Sequence, residues 1–105
     1  MLEKLKKLFG FGPKVNYAEL VAKGAMIIDV RTKGEFAGGH IRGSINIPVD
    51  QLEKNLNKIK DKSRTVITCC ASGARSASAK SILISKGYAN VHNGRSWQSL
   101  KNKIK

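Results

Sequence analysis

The chain is 105 residues long, enough for one domain around one core and too short for two. Apolar residues at 41% and charged residues at 26% are ordinary globular usage, which excludes disorder as an account of the whole; no internal repeat is present, nor any biased tract beyond a Lys-rich tail. Twenty Lys and Arg against seven Asp and Glu give a formal charge of +13 that draws anions to the surface, but the cations are scattered and only three Phe, two Tyr and one Trp accompany them, so no stacking platform forms and nucleic acid is not expected as a partner.

The first 14 residues, "MLEKLKKLFGFGPK", place Leu2, Leu5, Leu8 and Phe9 at helical spacing with lysines between them. The segment lacks the apolar core and cleavage site of a signal peptide, and reads as a short packing helix. Weak docking on an anionic membrane surface is the other use of such a pattern. Gly10, Gly12 and Pro13 end it, so the domain proper runs over 15–105. No run in the chain approaches the roughly 20 apolar residues of a spanning helix.

Asn16 with Glu19 three residues later predicts a capped helix that Gly24 closes. "AMIIDV" is a compact apolar run and predicts a buried strand. The glycine-rich "RTKGEFAGGHIRGS" predicts a loop with at most one helical turn around Glu35 and Phe36. "SINIP" predicts a second short strand stopped by Pro48, and Asp50 with Glu53 predicts a cap and box for a helix "QLEKNLNKIK" whose inward face is Leu52, Leu56 and Ile59. "RTVIT" is the third strand, with Cys69 as its last residue. After the turn "CASGA", "RSASAKSILISK" predicts a helix that approaches the sheet through Ala77, Ser78, Ala79 and Ser81, with Gly87 as its C′ residue. "ANVHN" is a fourth strand, and "SWQSLKNKI" a last helix capped by Ser96, with Trp97, Leu100 and Ile104 as core. Strands alternating with helices predict an α/β fold with a mainly parallel sheet, whose ligand sites lie beyond the carboxyl ends of the strands.

The two adjacent cysteines stand at such an end. Their adjacency excludes both a disulfide framework and a zinc site of paired CxxC spacing, and reduced, intracellular thiols in a cytoplasmic protein are the expectation. A strand, a tight loop of small residues and a helix start together create a concavity of inward amides that stabilises negative charge. A cysteine at its entrance is expected to be exposed, with a lowered pKa and thiolate character. Gly73 permits the bend, and Arg75 can offer a charge-assisted fork to an oxyanion. Two spacings compete. Counted from Cys69, five residues precede Arg75, the spacing of cysteine-dependent phosphatases and a ring sized for a phosphoryl group. Counted from Cys70, four intervene, and the smaller ring suits a persulfide. Strand alternation turns Cys69 to the opposite face from Cys70, as a packing residue.

Three ordered stretches, "IIDVRTKGEFAGGHIRGSINIP", "CASGARS" and "GYANVHNGRSW", give the sequence from Val15 to Leu100 a resemblance to the single-domain rhodanese family of sulfurtransferases. That resemblance implies a rhodanese-like α/β domain. It also implies Cys70 as nucleophile, because the family's glycine three residues on is Gly73, whereas from Cys69 that position is Ser72 and Thr68 stands where phosphatases carry histidine. It further implies a loop of Ala71, Ser72, Gly73, Ala74 and Arg75 that holds a persulfide, and supporting roles for Asp29, Arg31 and His40. For Asp29 and Arg31 a satisfied ion pair is expected, and for His40 structural hydrogen bonding in preference to general-base work. His92 is expected to be a plain strand residue. Arg95 departs from the family, which commonly has a second glycine there. The implied activity is transfer of a sulfane sulfur from an anionic donor such as thiosulfate to cyanide, a small thiol or a protein cysteine, with no metal or organic cofactor. A phosphatase or arsenate reductase working from Cys69, and a non-catalytic rhodanese-like binding module, are the alternatives.

Overall fold

The structure, a computed structural model, describes residues 15–105. The helix expected in the first 14 residues lies outside them. Helix α1 (Tyr17–Ala22) starts where the Asn16 side chain accepts the Glu19 N–H at 3.0 Å. The cap forms but the box does not, because the Glu19 carboxylate turns outward to Lys23 at 2.7 Å. Strand β1 (Met26–Asp29) and the short β2 (Ile45–Asn46) flank α2 (Lys33–Ala37), a five-residue helix closed by a full capping box between Thr32 and Glu35.

Between β2 and the next strand the predicted helix is replaced by two 3₁₀ stretches, Val49–Gln51 and Glu53–Lys58. Neither Asp50 nor Glu53 caps anything. Asn55 leaves helical geometry and its side chain donates to the Gln51 carbonyl at 2.8 Å, the local competition by which asparagine disfavours α-helix. The inward face is as expected: Leu52 and Ile59 are buried and Leu56 packs against them.

Strand β3 (Val66–Cys70), helix α3 (Ala74–Ser85), strand β4 (Val91–Ser96) and helix α4 (Trp97–Lys103) complete the domain. The four strands form one parallel sheet in the order β2-β1-β3-β4. Two boundaries differ from the sequence reading, for one reason. β4 does not stop at Asn93 but continues to Ser96 through a bulge, since Thr68 faces Asn93 while Cys70 faces Ser96. That extension gives Cys70 a partner in Ser96, so Cys70, not Cys69, is the last residue of β3.

Both faces of the sheet are covered, as a parallel sheet requires. Ile28, Val66, Cys70, Ala79, Leu83 and Tyr88 belong to the cluster under α3 and the 3₁₀ turns; Ile27, Ile67, Cys69 and Leu100 belong to the cluster under α1 and α4. Of the four small residues expected to bring α3 onto the sheet, only Ala79 faces inward. Ser76, Ala79 and Leu83, at helical spacing, are the buried stripe, while Ala77, Ser78 and Ser81 are exposed.

At Gly94 in β4, an added Cβ would stand 2.9 Å from Ile67 Cγ2, Leu100 Cδ2 and the Thr68 carbonyl oxygen. Gly94→Ala is therefore expected to cost about 1–3 kcal/mol through overpacking against backbone as well as side chains. Gly34→Ala in α2, where nothing lies within 4 Å of the new methyl, is expected to be neutral or to stabilise by about 0.5 kcal/mol. Urea unfolding of the two variants checks both signs.

Candidate active site

The end of β3, the loop 71–73 and the start of α3 build the site. Gly73 has φ +113, a conformation that costs a side chain dearly, and it stands as the N-cap of α3 with no side-chain cap. The unpaired amides of that helix start therefore turn toward the cysteine. Gly73 N–H donates to Cys70 Sγ at 2.9 Å and Ser76 N–H at 3.3 Å, and Ser76 Oγ lies 3.4 Å from the same sulfur. Burial pushes the Cys70 thiol up, but the Ser76 hydroxyl and the amides of Ser76, Gly73 and Ser72 outweigh it, and the pKa is held below that of an ordinary thiol. Cys70 is nevertheless 1% exposed. The expectation of an exposed loop cysteine is thus corrected: the residue ends a buried strand, and it is the neighbouring Ala71, Ser72 and Ala74 that are exposed.

Cys69 is fully buried on the other face. Burial, and next the nearby Asp29 carboxylate, push its thiol up to about 12. A thiol so held stays neutral near neutral pH, which disfavours it as a nucleophile.

Arg75 does not aim its fork at the loop. Its two terminal nitrogens meet both oxygens of Glu35, at 2.7 and 3.0 Å. Arg75 and the Thr32 amide together lower Glu35 to about 2, so this clamp stays ionised throughout the neutral and mildly acidic range. Behind it, Arg31 pairs with Asp29 at 2.7 Å with both side chains buried, donates to the carbonyls of Gly39 and Glu35, and lies 4.6 Å over the Trp97 ring. Asp29 and Arg31 thus tie β1 to α2, and Glu35 of α2 ties that unit to Arg75 of the loop. His40 stands apart, exposed, stacked on Phe36 and 2.7 Å from its carbonyl. His92 is half-buried; burial and Lys80 hold its pKa down, and it touches none of these groups.

Sequence reasoning missed three contributors. Ser76 was legible as the last letter of "CASGARS". Glu35 was legible as an acid in the glycine-rich loop, though its partner 40 residues on was not. Asn93 carried no signal: its Oδ1 accepts the Ser76 hydroxyl at 2.6 Å and the Arg95 N–H at 2.9 Å, which orients Ser76 beside the sulfur. Ser76→Ala removes the hydroxyl whose single proton can turn from Asn93 to the sulfur once Cys70 ionises, so the Cys70 pKa is expected to rise. The rate of alkylation by iodoacetamide against pH, in the Cys69→Ser background, should show its rise displaced to higher pH. An unmoved profile would deny Ser76 this role.

Comparison with known proteins identifies the family. Residues 13–96 match the family model of the Rhodanese-like domain. The thiosulfate sulfurtransferase PspE of Escherichia coli K12 is 37% identical over 67 residues, covering 63% of this chain and 64% of that protein's length. Among solved structures, a rhodanese with anions from E. coli superposes with a TM-score of 0.68 at 34% identity, over 72% of this chain and 91% of its own. The human single-domain sulfurtransferase TSTD1 superposes with a TM-score of 0.72 at 28% identity, over 81% and 88%. With the family model matched over 13–96, the chain belongs to the rhodanese-like domain family.

Proposed function

We propose that this chain is a sulfurtransferase that carries a sulfane sulfur on Cys70, taken from an anionic donor of the thiosulfate type and passed to a thiophilic acceptor. The observation that carries the reading is the convergence of the Gly73, Ser76 and Ser72 amides and the Ser76 hydroxyl on one sulfur. Such preorganised donors favour the thiolate before reaction and a persulfide anion after it. The Cys70 thiolate attacks the outer sulfur of the donor; the Sγ–S bond forms, the donor's S–S bond breaks, and sulfite leaves with the electron pair. An acceptor thiolate or cyanide then attacks the outer sulfur of the persulfide, and Cys70 thiolate is regenerated. Two half-reactions on one residue predict ping-pong kinetics. The names of the relatives, a thiosulfate sulfurtransferase and a single-domain sulfurtransferase, support the same reading.

A phosphatase or arsenate reductase working from Cys69 fits poorly. That sulfur packs with the cluster under α1 and α4, and burial pushes its thiol up to about 12. Intact-protein mass spectrometry after thiosulfate treatment decides between the readings, with release of the added sulfur by cyanide as the second step. Turnover of an aryl phosphate or arsenate without any sulfur gain would overturn the proposal. Neither activity, with partner binding that survives replacement of both cysteines, would mark a binding module.

A further inference from the structure

Arg95 has φ +67, the one non-glycine residue with positive φ among the described residues. A branched or long side chain is disfavoured there relative to the right-handed region, and strain of this kind clusters at functional sites. The residue sits in the β4 bulge, which lays it against the outer side of the active loop. A Cβ on Gly73 would be 3.5–3.7 Å from Arg95 Cβ, Cα and Cγ. The same Gly73 donates its N–H to Cys70, so Arg95 and the reacting sulfur both adjoin one residue.

Two surface depressions meet at Tyr17, Asn93 and Arg95. One continues to Lys80 and His92, the other to Lys103, and no carboxylate lines either. Arg95 is exposed and forms no ion pair among the described residues, whereas the Arg75 fork is already taken by Glu35. Its charge acts on Tyr17, whose phenol burial raises and Arg95 lowers. No residue from Cys70 to Ser76 lines either depression, so an anion held there must be spaced from the reacting sulfur by several atoms. Thiosulfate, whose charged oxygens are two bonds from its outer sulfur, does not meet that condition. A thiol with a carboxylate on a carbon spacer does.

We infer that Arg95, flanked by Lys80 and Lys103, is a specificity-determining residue that receives the carboxylate of an anionic acceptor thiol whose sulfur meets the outer sulfur carried on Cys70. This rests on the proposed sulfur transfer for its biological use, but its test does not need a persulfide. Cys70 in the full chain is reacted with dithiobis(nitrobenzoate), a dianionic aromatic disulfide, and with neutral dithiodipyridine. In each case the Cys70 thiolate attacks one sulfur, the Sγ–S bond forms, the reagent's S–S bond breaks, and an aryl thiolate or thione leaves and is read by absorbance.

At low ionic strength the ratio of the anionic to the neutral rate is expected to fall about tenfold in Arg95→Gly and equally in Arg95→Asn, both of which accept the left-handed backbone. Arg95→Lys should keep most of the ratio. Lys60→Ala removes the same charge beside Met26 and Ile45, at the opposite end of the strands, and should change the ratio less than twofold. An unchanged ratio in Arg95→Gly, or a fall in Arg95→Gly without one in Arg95→Asn, would overturn the inference. If the ratio falls as expected while thiosulfate adds no sulfur, anion recognition stands and the proposed sulfur transfer fails.

Discussion

After thiosulfate treatment, the Cys69→Ser variant is expected to gain the mass of one sulfur atom as the native chain does, and the Cys70→Ser variant to gain none. Steady-state transfer to cyanide should fall about a thousandfold or more in Cys70→Ser, since the residue carries the covalent intermediate. In Cys69→Ser it should fall severalfold at most. The asymmetry follows from one residue of offset along a strand. Cys70 turns toward α3, where amides converge and ionisation is favoured; Cys69 turns toward α4, where burial and Asp29 hold its thiol up to about 12. Loss of the sulfur gain in Cys69→Ser alone would reverse the assignment.

The second large effect is on stability. Arg31→Leu leaves the Asp29 carboxylate fully buried without its partner, and it also removes the donors to the Gly39 and Glu35 carbonyls. Breaking a buried pair from one side costs about 3–5 kcal/mol. For a domain of this size that corresponds to a fall in Tm of about 15–30 °C. The double variant Asp29→Asn/Arg31→Leu should recover part of the loss, because no charge is then buried alone. Thermal melts of the single and double variants check this, and a double variant less stable than Arg31→Leu would count against the ion pair as the cause.

How far the sequence reached differs from element to element. "AMIIDV" and the β3 run were legible because buried parallel strands are apolar on both faces, and α3 because its start and its C′ glycine at Gly87 bracket it. The stretch from Asp50 to Lys58 misled: its apolar spacing was right, but Asn55 broke the helix by bonding locally to Gln51. The end of β4 was not legible. "NGRSW" looks like a turn, and only pairing with β3 makes it a bulged strand.

By itself the sequence determined the α/β alternation, the cysteine loop and the position of Gly73, because these depend on local pattern and on glycine's backbone freedom. It also separated the two cysteines, since alternation along a strand is a local rule. The tertiary structure alone decided what each charged group meets. Glu35 reaches Arg75 across 40 residues, Asn93 orients Ser76 across 17, and Arg95 is laid against Gly73 by a bulge whose existence depends on the neighbouring strand. Those contacts join elements distant in the chain, and no periodicity within any one of them encodes the partner.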